Sequence, residues 1–291
     1  MKNINLLGYS GCQLDVISLT SGEVFIKKTS KNKDYNNRLK MQLKKQIKYH
    51  GSFKSCKVYY DFYENDLYSF IMEYIDGVNL GEGLKSISIS EINNFVEMFF
   101  DEIQINNEFD KNASKILKNK ILSVSLQIGD IKKIDKYLSL LHKHSWSYII
   151  KSNCHGDLTL ENIIYKNGDY YLIDFLDSFY DSWMIDVAKL LQDTELFWCY
   201  REKTINNDVY TKLLYMRNLI IDRILLFKNG YEILCEIYHI LMLNLLRILP
   251  YVKDTLTEKF IMTKLEYVYN RIAHVKGGEF YSEYFNYSVR R

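Results

Sequence analysis

The sequence predicts an α+β protein of two lobes, a small β-rich lobe over residues 1–76 and a larger, mainly helical lobe over 77–291. Three observations predict it. Apolar residues first follow a strand-like pattern with one helical interruption, then recur at helical spacing. The change falls at Asp76-Gly77, a short turn-forming pair. The chain's 291 residues also exceed the about 100–200 of a usual single domain.

The elements follow in order. Asn5 to Leu19 is strand-like with a break at Gly8-Tyr9-Ser10-Gly11, and Glu23 to Lys28 follows a Thr-Ser-Gly turn, which suggests a hairpin. Tyr35, Leu39, Leu43 and Ile47 recur at every fourth position, the stripe of a helix over 35–48. Lys57 to Phe62 and Leu67 to Tyr74 read as strands joined by the polar turn Glu64-Asn65-Asp66. In the second lobe Ser90 predicts the N-cap of a helix to about Asn106, and Ile131, Ile134, Tyr137, Leu138 and Leu141 form another stripe. One hairpin interrupts the helices: Ile163 to Lys166, Asn167-Gly168, then Tyr170 to Phe175, since an Asn-Gly pair readily supplies two positive-φ turn positions. Trp183, Val187, Leu190 and Leu191 resume helical spacing, and further helices are expected over 208–228, 231–249 and 255–274.

Hydrophobic residues make up 47% of the chain and charged residues 25%, the composition of a soluble globular protein with ample core. Lys and Arg number 38 against 36 Asp and Glu, so net charge gives no reason to expect a nucleic-acid or membrane partner, and any phosphate affinity must be local. Five scattered cysteines without a C-x-x-C pair favour a reduced, cytosolic chain. The N-terminus offers no apolar stretch of signal-peptide length. The apolar run Ile240 to Leu249, cut by Asn244 and Arg247, is short of the roughly 18 residues of a membrane span and reads as a buried helix. The sequence leaves the oligomeric state open.

The chemistry concentrates in Cys154 to Asp177, which reads CHGDLTLENIIYKNGDYYLIDFLD. It contains His155-Gly156-Asp157, Asn162 after four intervening residues, and Asp174-Phe175 across the hairpin. Phosphoryl transfer needs a carboxylate to orient the attacking hydroxyl, oxygen ligands for magnesium, and a rigid mount. A loop followed by a hairpin supplies such a mount, because the residues before the first strand and after the second return to one end of the ribbon. Singly, each Asp or Asn could be a turn cap. Their joint order is what carries the functional reading.

The H-G-D-x-x-x-x-N and I-D-F pattern resembles the aminoglycoside phosphotransferase and choline kinase-like branch of the protein-kinase-like fold. The resemblance implies Asp157 as catalytic base, Asn162 and Asp174 as magnesium ligands, His155 as a loop organiser, and ATP with Mg as cofactors. It implies that backbone groups near Glu73, Tyr74 and Ile75 meet adenine, and that the acceptor is a hydroxyl of a sugar, amino sugar or amino alcohol. Asp186 matches a family Asp that braces the catalytic loop. Asp193, Glu195, Trp198 and Tyr200 form a polar and aromatic cluster suited to an acceptor or to a structural role.

In the small lobe Val24-Phe25-Ile26-Lys27 resembles the strand whose lysine grips the α- and β-phosphates, which makes Lys27 the candidate, with Lys28 on the other face. A one-residue shift of register exchanges the two. The family's helix glutamate is missing, since no Glu occurs between Glu23 and Glu64; Gln42 or Gln46 could substitute, bonding the lysine without a charge. Gly8 and Gly11 are weak evidence for a phosphate-covering turn. Lys31, Lys33, Arg38, Lys40, Lys44, Lys45 and Lys48 surround a single acid, Asp34, and such a run is most simply a solvated helix face. Two other functions compete with the small-molecule kinase: a catalytically silent nucleotide-binding scaffold, favoured by the missing glutamate, and a protein kinase, opposed by the lack of H-R-D and A-P-E segments.

Overall fold

The computed structural model describes residues 5–7, 11–103, 108–129 and 132–276. Gly8, of the glycine pair above, lies outside them. The chain forms two compact units, residues 1–87 with 160–177, and residues 88–159 with 178–291. The first ends at Ile87 rather than at Asp76, and it takes in the Asn-Gly hairpin that the sequence assigns to the helical lobe. Pairing explains the difference, because Val78 and Asn79 bond to the first strand of that hairpin.

The first unit runs β1 (Asn5–Leu7), β2 (Gln13–Ser18), β3 (Val24–Thr29), α1 (Asn36–Ile47), β4 (Lys54–Ser55), β5 (Val58–Glu64), β6 (Leu67–Glu73), β7 (Val78–Asn79), the single turn α2 (Leu80–Gly83), β8 (Ile163–Lys166) and β9 (Asp169–Leu172). An antiparallel sheet has the order β1-β2-β3-β6-β5, and a smaller sheet the order β4-β9-β8-β7. Asn167 at φ 51° and Gly168 at φ 87° make the turn between β8 and β9, as the Asn-Gly signal requires. At Gly77 a Cβ would come within 2.6 Å of the Tyr165 carbonyl oxygen, so only glycine admits the close approach of this segment to β8.

Helix α1 covers the larger sheet with Leu39, Gln42, Leu43 and Gln46, while Ile47 is 54% exposed. The every-fourth stripe fails at its end because four residues overshoot a full turn by about 40°. Asn36 ties the helix to the β5–β6 hairpin: its Nδ2 donates to the Asp66 carbonyl at 2.8 Å and its Oδ1 accepts from the Tyr68 N–H at 2.9 Å. Cys12, Ile26, Leu39, Leu43, Tyr68 and Phe70 are among the core residues here.

The second unit consists of α3 (Ile89–Glu102), α4 (Ala113–Ile128), α5 (Asp135–Lys143), α6 (Trp183–Thr194), α7 (Asn207–Leu225), α8 (Gly230–Ile248) and α9 (Thr255–Lys276). Helix α3 is capped by Ser88 rather than Ser90, through a reciprocal capping box with Glu91. Residue Ile131 of the expected stripe lies outside the described residues, and Ile134 precedes α5 in a 3-10 turn. Helix α4 has no counterpart in the sequence reading. Helix α8 packs against α6, α7 and α9. Residues 230–251 reach the length and apolarity of a membrane-crossing helix, at 22 residues with an 18-residue window of mean hydropathy 1.5, yet 78% of that window is buried within the protein. It is the core helix of the unit. All five cysteines are buried and unpaired by disulfides.

Candidate active site

Within the second unit, the loop bearing His155 and Asp157 is fixed by the start of α6. Ser182 caps the helix by accepting the Met184 N–H at 3.2 Å, and its hydroxyl donates to the Ile150 carbonyl at 2.7 Å. One turn in, the buried Asp186 accepts the His155 N–H through Oδ2 at 2.6 Å and the Gly156 N–H through Oδ1 at 2.7 Å. This is the bracing that the sequence ascribes to Asp186. Gly156 has φ 91°, a conformation that side-chain-bearing residues rarely adopt, and it lets the chain present both amides to one carboxylate. The buried ring of His155 accepts the Asp157 N–H through Nδ1 at 3.2 Å, which organises the loop. Cys154 donates to Asp181 Oδ1 at 3.3 Å.

The Asp157 side chain is 32% exposed, and its Oδ1 stands 2.9 Å from Lys189 Nζ on α6. Burial by itself would push this carboxyl up; the charge and hydrogen bond of Lys189, aided by His155 and Arg247, outweigh it and hold the group below the usual carboxylate range. A carboxylate kept ionised beside solvent can accept the hydrogen bond of an alcohol. Lys189 and Arg247 were not singled out in the sequence. Lys189 had a signal, since it follows Asp186 by three positions on one helix and therefore shares its face. Arg247, distant in sequence on α8, had none.

Within the first unit, Asn162 closes a short 3-10 turn immediately before β8, and Asp174 follows β9. Ile163 pairs with Leu172, and the Ile173 N–H donates to the Asn162 carbonyl at 3.0 Å. Asn162 and Asp174 therefore stand at the same end of the ribbon, as a hairpin mount predicts. Asp174 has φ 62°, uncommon for a residue other than glycine. Such backbone outliers cluster where a side chain must be aimed.

The two lysines of β3 take opposite faces, and the buried one is Lys28 rather than the expected Lys27. On β3, Ile26 and Lys28 face the buried side, and Lys28 Nζ bonds to Asp174 Oδ1 with its side chain 6% exposed. Lys27 points to the other face, pairs with the half-exposed Glu64 and lies over the Phe62 ring. The strand alternation forces the choice: one lysine alone can share the face of Ile26. The two candidate glutamines bond elsewhere. Gln42 donates to the Tyr35 hydroxyl at 3.2 Å and Gln46 to the Cys56 carbonyl at 2.9 Å, so the partner of Lys28 in this structure is Asp174. Gln42 Oε1 is buried without a hydrogen-bond partner.

Glu73 ends β6, exchanging backbone bonds with Lys57 through its own N–H at 2.8 Å and its side chain at 3.3 Å. Tyr74 is 40% exposed and Ile75 is buried. Asp193 and Glu195 are structural: Asp193 Oδ1 accepts the Cys199 N–H at 3.0 Å, and the fully buried Glu195 carboxylate meets Tyr238, Tyr267 and Arg271.

Among the described residues no group of three or more His, Cys, Asp or Glu could hold a metal. The oxygen donors of Asn162 and Asp174 suit magnesium, which is commonly bound by one or two protein groups with substrate phosphates and water completing its shell.

A five-stranded antiparallel sheet with one covering helix, followed by a catalytic-type loop, a hairpin and a helical unit, is a protein-kinase-like fold. The phosphotransferase enzyme family model matches residues 111–205, a segment that holds Asp157, Asn162, Asp174, Asp186 and Lys189. The resemblance to this family that the motifs carry is thus found independently. A search of curated proteins by sequence finds no significant match. Among solved structures, one of the GDP and kanamycin complex of APH(2")-IIia is 13% identical, with a TM-score of 0.58 over 96% of this chain and 94% of that one. The amicoumacin kinase hAmiN in complex with AMP-PNP, Ca2+ and Ami is 13% identical, with a TM-score of 0.56 over 92% and 88%. The ADP-bound aminoglycoside phosphotransferase APH(2'')-Ib is 15% identical, with a TM-score of 0.51 over 91% and 92%. These likenesses establish the fold.

Proposed function

We propose that this protein is a small-molecule kinase that transfers the terminal phosphoryl group of ATP to a hydroxyl of a sugar, amino sugar or amino alcohol. One observation carries the reading: the buried Lys28 meets Asp174, and Asp174 shares its ribbon end with Asn162. A cation that can bind phosphate and two oxygen donors for a metal are thus gathered on a single rigid hairpin and its neighbouring strand. Asn162 and Asp174 would hold Mg, which supplies charge neutralisation on the phosphates. Lys28 would bind phosphate oxygens, while Glu73, Tyr74 and Ile75 would line the adenine. Asp157 would align the acceptor hydroxyl and take its proton.

The test is Mg-dependent consumption of ATP, and in parallel GTP, against a panel of aminoglycosides, sugars and amino alcohols. Kanamycin heads the panel because a similar structure holds it. Removal of the base should cost about 10²-fold or more in turnover, since general-base assistance is worth about 10²–10⁴. Asp157→Asn should therefore lose turnover while keeping nucleotide affinity; unchanged turnover refutes the assignment.

A silent nucleotide-binding scaffold is favoured by one observation, that α1 carries no Asp or Glu to pair with Lys28, while its Gln42 bonds Tyr35. Nucleotide binding without turnover on any acceptor, including protein acceptors, would decide for it.

A further inference from the structure

We propose that Lys189 is a positioning residue for Asp157, fixing Oδ1 so that the carboxylate is presented to the acceptor in one orientation. The inference rests on the phosphotransferase reading above. Helix α6 anchors the catalytic loop twice within one turn of itself. Asp186 holds the loop backbone through the amides of His155 and Gly156, and Lys189 holds the side chain, with Nζ 2.9 Å from Asp157 Oδ1. Because the two anchors are three positions apart on one rigid element, backbone and carboxylate cannot drift independently.

The Lys189 side chain is 14% exposed. An ammonium on a largely buried helix face does nothing for solubility, and its desolvation is offset only through a close anionic partner. The carboxyl itself also needs the cation: burial works against its charge, and Lys189 leads the groups that overcome this. The charged and titratable groups acting on it are Lys189 from α6, Arg247 from α8 and His155 from its own loop. Lys189 hydrogen-bonds Asp157 Oδ1 directly.

The experiment compares wild type, Lys189→Met and Lys189→Arg in three measurements: Mg·ATP turnover with kanamycin and with water as acceptor across pH, the KM for ATP, and the ¹³C titration of the Asp157 carboxyl, assigned with Asp157→Asn. Lys189→Met should lower kcat by about 10²-fold, the size of effect a roughly ångström-scale misplacement produces. Its KM for ATP should stay within about twofold, because a positioning role acts on the transition state. The acidic limb of its pH–kcat profile and the carboxyl titration should both move to higher pH. Lys189→Arg should recover much of the rate and most of the titration.

A folded Lys189→Met with wild-type kcat and acidic limb overturns the role of Lys189 alone. So does a Lys189→Arg variant that falls as far as Lys189→Met while keeping a wild-type titration. If Lys189→Met fails to fold, Lys189→Arg and its titration decide between these outcomes. Where kanamycin is not phosphorylated, the best acceptor of the panel above takes its place; a wild type that transfers phosphate to no member of that panel and not to water overturns the phosphotransferase reading and the role with it, even where the titration registers the contact.

Discussion

Asp186 grips Gly156 by its backbone, with Oδ1 accepting the glycine N–H at 2.7 Å while Oδ2 accepts the preceding His155 N–H at 2.6 Å. Both amides are buried, so the carboxylate is their means of escaping an unsatisfied state. In Asp186→Asn one acceptor becomes an NH₂ donor aimed at an N–H. A bond to a charged group is worth about 1.5–3 kcal/mol. Asp186→Asn should therefore lose about 2–3 kcal/mol of unfolding free energy in urea. Turnover should fall further than ATP affinity does, since the displaced loop carries Asp157.

The two neighbouring lysines of β3 should behave oppositely. Lys28 is nearly inaccessible and bonds to Asp174, whereas Lys27 pairs with a Glu64 side chain that is 53% exposed. A charge-assisted bond to phosphate is worth about 1.5–3 kcal/mol, or about ten- to hundredfold in affinity. Lys28→Met should raise the Kd for Mg·ATP by that factor. Lys27→Met should leave it within about twofold, because an ion pair with an exposed partner contributes about 0–1 kcal/mol. Calorimetric titration with Mg·ATP checks both, and equal losses would contradict the assigned register.

That register marks where the sequence stops being sufficient. Local chemistry made the β8–β9 hairpin legible, because Asn167-Gly168 defines its own turn and therefore which residues stand at its open end. Helices α7, α8 and α9 fall within a few residues of expectation, since each has a long apolar period. By contrast, choosing between Lys27 and Lys28 requires knowing which face of β3 meets α1, which is a tertiary fact. The α4 helix went unread because its buried positions, Ala113, Leu117, Ile121 and Val124, are interleaved with exposed Ile116, Leu122 and Leu126, which blur the stripe. Strands β4 and β7 span two residues each, too short for any period. The polar cluster Asp193 and Glu195 could be read as a recognition site because sequence does not reveal burial; in the fold both are buried and satisfied.

A stacked pair of imidazoles predicts the acid sensitivity of the second unit. His239 lies parallel to His144 at a centroid distance of 3.7 Å, its Nδ1 is 2.6 Å from the Cys235 carbonyl, and its buried Nε2 has no hydrogen-bond partner. His144 in turn bonds Glu236 at 2.7 Å. Burial, then the adjacent His144 and the more remote charge of Lys276, drive the His239 pKa down to about 3. An unfolded histidine titrates near about 6.5, so between these values the unfolded chain binds the extra proton and stability rises with pH. Acidification from neutrality towards pH 4 should therefore lower Tm through this residue. His239→Leu should flatten the dependence relative to wild type; an unchanged slope would contradict the buried neutral state.

The helical unit buries the charge of Glu195, whose side chain is 0% exposed. Its Oε2 accepts the Tyr238 hydroxyl at 2.8 Å, and its Oε1 accepts the Tyr267 hydroxyl at 2.8 Å and faces Arg271 Nε at 3.2 Å. Three side chains, one from α8 and two from α9, thus share the carboxylate that the α6 C-cap residue carries. Removing only the cation leaves a buried anion with two neutral donors, and breaking such a pair costs about 3–5 kcal/mol. Arg271→Met should lose that much in urea denaturation. The double variant Glu195→Met with Arg271→Met should recover part of the loss, because it no longer buries an uncompensated charge, although two tyrosine hydroxyls then lose their acceptor. A double-mutant cycle measures the coupling directly, and additive losses would mean that the pair acts as two independent contacts rather than as one neutralised unit.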